Sequence, residues 1–589
     1  MCGIFGIVSN KNIIKDTLTG ISNLEYRGYD SAGIGYIDKD KISVIKEVGE
    51  IKNLITSVDQ INPSSTTAIA HTRWATHGSP NKENAHPFVT SDGQFSLVHN
   101  GIIENYAELK NTTNSTYTST TDSEVILSLI EKYYNGDMLS TINYVCRLLK
   151  GSYTLAILSA SEPNKIYVTK NISPCVVGIG EGESRVCSDI NGIGEVEYAH
   201  ILADKNIAVL SPEKITIYDN NLTEIHLNKV QIDNAESNNL GEYSHFMRKE
   251  IYEIPATIKN TCLNYSNLEL LKSSLPDLNL FNNIIIIGCG TAYHSGLIGM
   301  KILESNSNLH IRCEIASEFI YSNTHVDSKT LAIFVSQSGE TADTLKALEI
   351  AKNKHATTVA ITNVKNSSIT FHADYCLYTY AGSEVAVAST KAYIGQLTMF
   401  YLLGSLFRGD EHFYQKTIKN LTSISLNIDT GTLENIAIDL SNDIYNENNL
   451  YMIGRDFDFV TATESSLKLK EISYIHSEAY PSGELKHGTI SLIENETIVF
   501  VFMTEKHLIE KSINNALEVI SRGGKVITIS QYDITISGAY KSIKLSNFDD
   551  YYMPIYSIVL MQLVAYHTSI RKGLNPDKPR SLAKSVTVE

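Results

Sequence analysis

The sequence predicts a β-rich, layered antiparallel domain followed by two copies of a parallel α/β unit. Three observations carry that prediction. Short apolar runs separated by turns fill residues 1–210. From residue 282 onward, apolar strands alternate with helical stretches, the pattern of a parallel sheet. That second pattern recurs: 282–288 and 331–335 have counterparts at 448–454 and 498–502, offset by about 165 residues.

A chain of 589 residues is too long for one core. The divisions read from the sequence are 1–235, 236–420 and 421–589, with a linker at 231–243, where periodicity fades. With 43% hydrophobic and 19% charged residues, no large disordered region is expected. The net charge of -16 argues against nucleic acid or an anionic membrane as partner. A local nest of donors can still hold a phosphate. Eight cysteines without a C-x-x-C pair give no metal or disulfide framework, and no cofactor is expected. Polar residues at 10–15 rule out a signal peptide. The apolar stretch 551–568 contains Pro554, Gln562 and His567, so it reads as a buried amphipathic helix, not a membrane span. A soluble cytoplasmic protein is expected.

Within the first domain, 4–8 is a strand and 16–25 a short helix. The turn-rich 26–33 precedes strands at 34–37 and 42–46. A strand at 68–70 enters the loop His71-Thr72-Arg73-Trp74-Ala75-Thr76-His77-Gly78, rich in hydrogen-bonding side chains. Residues 95–103 read as a strand ending in Asn100-Gly101, a pair that also favours a hairpin turn. Thr120-Thr121-Asp122-Ser123-Glu124 opens a helix at 125–134, with acids suited to its first turn. Strands at 153–158, 165–169, 175–178 and 207–210 close the sandwich, and a helix at 243–255 enters the next domain.

Cys2 is the most reactive feature of this region. Removal of Met1 would leave it with a thiol and a free α-amine. An amine with a pKa of about 7.7–8.0 can take the thiol's proton, joining nucleophile and base in one residue. Cys2-Gly3-Ile4-Phe5-Gly6, Arg27-Gly28-Tyr29-Asp30-Ser31-Ala32-Gly33, the 71–78 loop, His99-Asn100-Gly101 and Thr121-Asp122-Ser123-Glu124 occur in the order found in N-terminal-nucleophile glutamine amidotransferases. This third of the chain resembles that family. The resemblance implies an α+β, αββα-layered glutaminase domain in which Cys2 attacks the glutamine side-chain amide. The Asn100 side chain and the Gly101 N–H would hold the oxyanion. Arg73 would clamp the α-carboxylate and Asp122 the α-ammonium. Thr76, His77 and Gly78 would complete the pocket, Arg27 would support Cys2, and Trp74 would gate an ammonia channel.

In the first α/β copy, Ser336-Gln337-Ser338-Gly339-Glu340-Thr341 joins a buried strand to a helix. Hydroxyls and free N–H groups there suit a phosphate, although Ser338 and Thr341 could serve only as caps. The second copy has Met503-Thr504-Glu505-Lys506 at this place, so one phosphate site is expected for the pair. Gly288-Cys289-Gly290-Thr291-Ala292-Tyr293 with Glu314 beyond it imitates a dinucleotide fingerprint, but the third glycine is missing.

These copies resemble sugar isomerase (SIS) domains, through 336–341 and Glu384-Val385-Ala386-Val387-Ala388-Ser389-Thr390-Lys391. End to end, the chain resembles the isomerising glutamine–fructose-6-phosphate aminotransferases. Further matching stretches are 464–476, with Leu467-Lys468-Leu469-Lys470-Glu471-Ile472, then Gly483-Glu484-Leu485-Lys486-His487-Gly488 and the tail 579–589. The resemblance implies that L-glutamine and fructose 6-phosphate are substrates. Lys584 would form an imine with the open-chain ketose, Glu471 would move the proton, and His487 would open the ring from a neighbouring subunit of a homodimer. Glu464 and Lys468 would shape the local charge, although their spacing also fits a solvated helix face. Ser336, Gln337, Ser338 and Thr341 would hold phosphate, with Thr291, Val387 and Ser389 lining the sugar. Ala292 and His294 depart from the usual serine and asparagine. Another glutamine amidotransferase, or a non-enzymatic sugar-phosphate regulator, are the competing readings. The first lacks its phosphoribosyl-diphosphate loop here, and the second a basic DNA-binding front end.

Overall fold

A computed structural model describes residues 2–75, 78–113, 115–226 and 239–587. It divides into two compact units, Met1–Ser237 with Ser585–Glu589, and Asn238–Lys584. Most of the expected linker, 231–238, lies outside the described residues.

Unit 1 is built from two seven-stranded antiparallel sheets. The first runs, edge to edge, Tyr198–Ile201, Val176–Gly180, Glu183–Cys187, Gly3–Ser9, Thr67–Arg73, Ser31–Asp38 and Lys41–Val48. The second runs Glu224–Ile225, Lys214–Tyr218, Ile207–Ser211, Ile166–Asn171, Gly151–Ser159, Phe95–Ile103 and Phe88–Val89. Strand alternation explains the layering. Ile4 and Val8 point into the core with Ile69, Val98, Ala156 and Val168. Phe5 and Ile7 point the other way, onto the helices Ile14–Ser22 and Ile51–Ile61. Helices Glu124–Tyr133 and Met138–Leu148 cover the second sheet through Val125, Ile130 and Ile142. The αββα layering is therefore observed.

Several local expectations change. His71, Thr72 and Arg73 extend the strand Thr67–Arg73 because they pair with 31–33. The 26–33 loop shortens to a single turn, Glu25–Arg27, before the strand begins at Ser31. Asn100-Gly101 is no hairpin: the strand runs through to Ile103, paired with Gly151–Ser159.

Unit 2 holds two five-stranded parallel sheets with the same strand order. One runs His310–Ile315, Asn283–Gly288, Thr330–Ser336, Thr357–Thr362 and Tyr375–Tyr378. The other runs His476–Pro481, Asn449–Gly454, Ile498–Phe502, Lys525–Ser530 and Lys541–Lys544. The expected entry helix is two helices, Phe246–Tyr252 and Ile254–Asn264. Pro255 lies in the first turn of the second, where its missing N–H costs nothing. The helix Met553–Arg571 is buried, but on nearly all faces and not along one stripe. It packs against Thr430–Ile444 and Phe457–Ser473. Each large apolar side chain buried there contributes about 1.5–3 kcal/mol.

Candidate functional site

In unit 1 the register Gly3↔Thr72 brings the chain start beside Arg73 and Trp74. The Trp74 N–H donates to Cys2 Sγ at 3.4 Å, and Cys2 Sγ lies 3.6 Å from the Trp74 carbonyl. The Cys2 carbonyl accepts from Asn100 Nδ2 at 2.9 Å and from Arg27 Nε at 3.2 Å. Arg27 is buried and also bonds the Ser188 carbonyl and Asp189, each at 3.1 Å. Burial pushes the Cys2 thiol up. The chain-terminal ammonium, the Trp74 N–H, Arg73 and Arg27 oppose that rise. A thiol between backbone groups and near two guanidinium ions is suited to attack on a carbonyl.

His71 fixes the Asn100 amide. Its Nε2 lies 3.0 Å from the His99 carbonyl and 3.1 Å from Asn100 Oδ1. Since Asn100 Nδ2 donates to Cys2, both partners are acceptors, so Nε2 carries the proton. Burial lowers the His71 pKa to about 3 and keeps the ring neutral. The ring stacks on His86 at 4.2 Å. Gly101 has φ +134, and a Cβ there would lie 2.0 Å from the Ser152 carbonyl, so only glycine fits. Asp122 is buried and accepts from the Ile103 N–H at 2.7 Å. Buried Arg73 donates to the carbonyls of Gly78 at 3.2 Å and Ser79 at 3.4 Å. Thr76 and His77 lie outside the described residues.

In unit 2, Lys584 Nζ donates to Glu384 Oε2 at 2.5 Å and to the Ala386 carbonyl at 2.8 Å. Glu384 also accepts from Ser389 Oγ and from the N–H groups of Thr390 and Ala392. Burial works against its charge, but Lys584 and the N–H donors of Ala392 and Thr390 outweigh it and hold the carboxyl low. The segment leading into the tail is docked: Asp577 accepts from the N–H groups of Phe246 and Met247, and its carbonyl accepts from the Val387 N–H.

A second cluster joins the two sheets of unit 2. Lys468, fully buried, donates to Glu471 Oε2 at 2.6 Å and to Thr291 Oγ1 at 3.0 Å, and lies 3.4 Å from Glu464. Glu464 accepts from Thr291 at 3.1 Å and meets His294 Nδ1 at 2.7 Å. Burial opposes charge on Glu464, yet Lys468 and His294 hold its carboxyl below the usual range. The helix Phe457–Ser473 therefore does not present a solvated charge ladder here: Glu464 and Lys468 face inward.

The 336–341 turn is internally braced. Ser336 Oγ accepts from the Gly339 N–H at 3.0 Å and lies 3.2 Å from Thr341 Oγ1, while Ser338 Oγ accepts from the Glu340 N–H. The Gln337 carbonyl accepts from the Asn363 N–H. Thr341 occupies the N-cap of Ala342–Asn353 without capping it through its side chain. Glu314, which a dinucleotide reading needs for a ribose, is bonded by Thr324 Oγ1. His487 is exposed on a one-turn helix, and no hydrogen bond or ion pair joins it to Lys584 or Glu471 among the described residues. Among the described residues Asp456, Glu505 and His507 bring ligand atoms within 4.8 Å, but Lys301 pairs with Asp456 and Glu505 accepts helix N–H groups.

Sequence reasoning passed over His71, Glu250 and Glu384 as individual residues. A lone acid in an otherwise apolar stretch, as Glu384 is in 384–388, was the available signal.

Known proteins follow the same division. A glutamine amidotransferase domain model matches residues 57–207, and a SIS domain model matches 278–406 and 443–570. The chain is 40% identical over 612 residues to the isomerising glutamine–fructose-6-phosphate aminotransferase of Clostridium tetani, covering all of both chains. It is 39% identical to that of Aquifex aeolicus, again over both entire lengths. The C-terminal domain of glucosamine-fructose-6-phosphate aminotransferase from Francisella tularensis aligns with TM-score 0.54 at 32% identity, covering 58% of this chain and 99% of that one. With relatives of this identity along its whole length, the chain belongs to the isomerising glutamine–fructose-6-phosphate aminotransferase family.

Proposed function

We propose that this enzyme converts L-glutamine and D-fructose 6-phosphate to L-glutamate and D-glucosamine 6-phosphate. Lys584 carries the reading: a lysine near the chain end, held on a buried carboxylate, in the same unit as Glu471 and the 336–341 turn. In unit 1, Cys2 attacks the glutamine amide, and water then releases glutamate, so that one amide is exchanged for one ammonia. Asn100 and the Gly101 N–H stabilise the oxyanion, Arg73 and Asp122 hold the amino-acid end, and Thr76, His77 and Gly78 close the pocket. Arg27 braces Cys2, and Trp74 stands at the exit of the ammonia.

In unit 2, Ser336, Gln337, Ser338 and Thr341 bind the phosphate, and Thr291, Val387 and Ser389 line the sugar. The opened ketose forms an imine with Lys584, losing water. Ammonia then displaces the lysine, leaving nitrogen on C2. Glu471 takes a proton from C1 and returns one to C2, while the C1 hydroxyl proton is exchanged for one on the C2 nitrogen, leaving the C1 aldehyde and C2 amine of the product. His487 serves ring opening in a second copy's site, which makes the working enzyme a homodimer, and we place it in the cytoplasm. Its exposure, with no bond to Lys584 or Glu471 among the described residues, favours that assignment.

The test is product analysis with glutamine and fructose 6-phosphate. Wild type is expected to form glutamate and glucosamine 6-phosphate, and Cys2→Ala neither. Glutamate and free ammonia without amino sugar would overturn the assignments of Lys584, Glu471 and His487.

A further inference from the structure

Glu250 lies outside every role assigned above. It is 1% exposed, on the helix Phe246–Tyr252. Its Oε1 accepts from the N–H of Val385 at 2.5 Å and of Ala386 at 3.1 Å. These two residues sit in the strip that cradles Lys584: Glu384 on one side supplies a carboxylate, and Ala386 supplies its carbonyl. Removing one partner from a buried hydrogen bond leaves the other unsatisfied. Without Glu250, two adjacent N–H groups, that of buried Ala386 and that of half-buried Val385, would lose their acceptor, and the strip would have to turn to satisfy them.

We propose that Glu250 is a positioning residue for Lys584, holding 384–386 in the one arrangement that presents Glu384 Oε2 and the Ala386 carbonyl together to the lysine. The proposal rests on the imine role assigned to Lys584. Two observations strengthen it. Glu250 Oε2 is buried without a partner among the described residues, so Oε1 alone does the holding. Burial and the neighbouring Glu384 charge push the Glu250 carboxyl up to about 8, with Lys584 opposing. Near neutral pH it is thus largely an uncharged acceptor, which a glutamine carbonyl can replace. The same helix starts on the Asp577 carboxylate of the tail, so one short element anchors both the strip and the segment leading to Lys584.

The experiment compares Glu250→Gln and Glu250→Asp with wild type. Amino-sugar kcat, the KM for fructose 6-phosphate, glutaminase activity, and borohydride trapping of the sugar on Lys584 are measured. Glu250→Gln is expected to stay within about threefold of wild type. Glu250→Asp, whose oxygen retreats by one methylene, is expected to lose about tenfold or more in kcat and in trapping. Its sugar KM and glutaminase rate should change little. Wild-type kcat in Glu250→Asp, or an equal loss in Glu250→Gln, would overturn the proposal. If wild type itself traps no sugar on Lys584, the role of the lysine falls instead, and the two failures are distinguished.

Discussion

The two parallel sheets of unit 2 share strand order but not the turn after their third strand. In the first, Ser338 stands where the second has Glu505. Glu505 Oε1 accepts from the N–H of Phe457 at 3.0 Å, at the start of Phe457–Ser473. Asp458, beside it, accepts from the N–H and hydroxyl of Thr504 at 2.8 and 2.6 Å. The turn after the third strand of the second copy thus sends an acid side chain to the N-terminus of the neighbouring helix Phe457–Ser473, while the matching turn of the first copy, which leads into Ala342–Asn353, carries hydroxyls. Glu505 takes up the N–H groups of Phe457 and Asp458, donors at a helix N-terminus that an anion could otherwise use. In this sense the second copy's turn is closed by its acid side chain, and the first copy's is open. The closed copy contributes a different chemistry, the Glu464–Lys468–Glu471 cluster.

The largest effect expected is at that cluster. Lys468→Met would leave Glu464 buried without its cation, a loss of about 3–5 kcal/mol. A fall in thermal stability and amino-sugar formation reduced at least about a hundredfold are expected, with glutaminase activity kept. A variant as stable as wild type would mean that the cluster is not held by charge. Next comes the open copy. Ser336→Ala combined with Thr341→Ala removes two hydroxyls from the turn assigned to phosphate, at about 1.5–3 kcal/mol for each bond to a charged group. The sugar-phosphate KM should rise at least about tenfold with kcat little changed. Removing a hydroxyl from the turn of the closed copy, by Thr504→Ala, should leave that KM untouched. If both copies respond alike, the contrast drawn between them is wrong.

Much of this was legible before any coordinates. The period of the α/β repeat, the buried strands and the serine-rich turn all follow from local pattern, as does the reactive start at Cys2. Three things were not. Asn100-Gly101 is locally a turn signal, and only pairing with Gly151–Ser159 carries the strand through it. Glu464, Lys468 and Glu471 took their roles from the resemblance alone, since their spacing fits a surface ladder equally well and does not reveal that another helix, bearing Thr291 and His294, lies against that face. Glu250 lies 135 residues before Val385 in the strip it holds, so no window of sequence connects them.

The closed copy also predicts a pH effect, smaller than the two above. Burial raises Asp458 to about 6 and Glu505 to about 8, in the latter case helped by the charges of Asp458 and Asp456. Raised folded values mean that the native state binds these protons more tightly than the unfolded chain. Their contribution is full below about pH 4 and is lost as pH rises through about 6 and then 8. Unfolding followed from pH 5 to 8.5 should show wild type losing stability on the order of 1–3 kcal/mol more than Glu505→Gln. Parallel profiles would show that Glu505 is charged throughout and that the helix N-terminus binds it as an anion.

The smallest effect is expected where the copies meet. His294 comes from the first copy and Glu464 from the second, and their contact at 2.7 Å replaces what the usual asparagine would make. An asparagine amide also donates, and Thr291 and Lys468 still hold the same carboxylate. His294→Asn should therefore change amino-sugar kcat/KM by no more than about fivefold, under about 1 kcal/mol. A hundredfold loss would show that the imidazole itself is needed, and that the joint between the copies works through a ring rather than through any donor placed on Glu464.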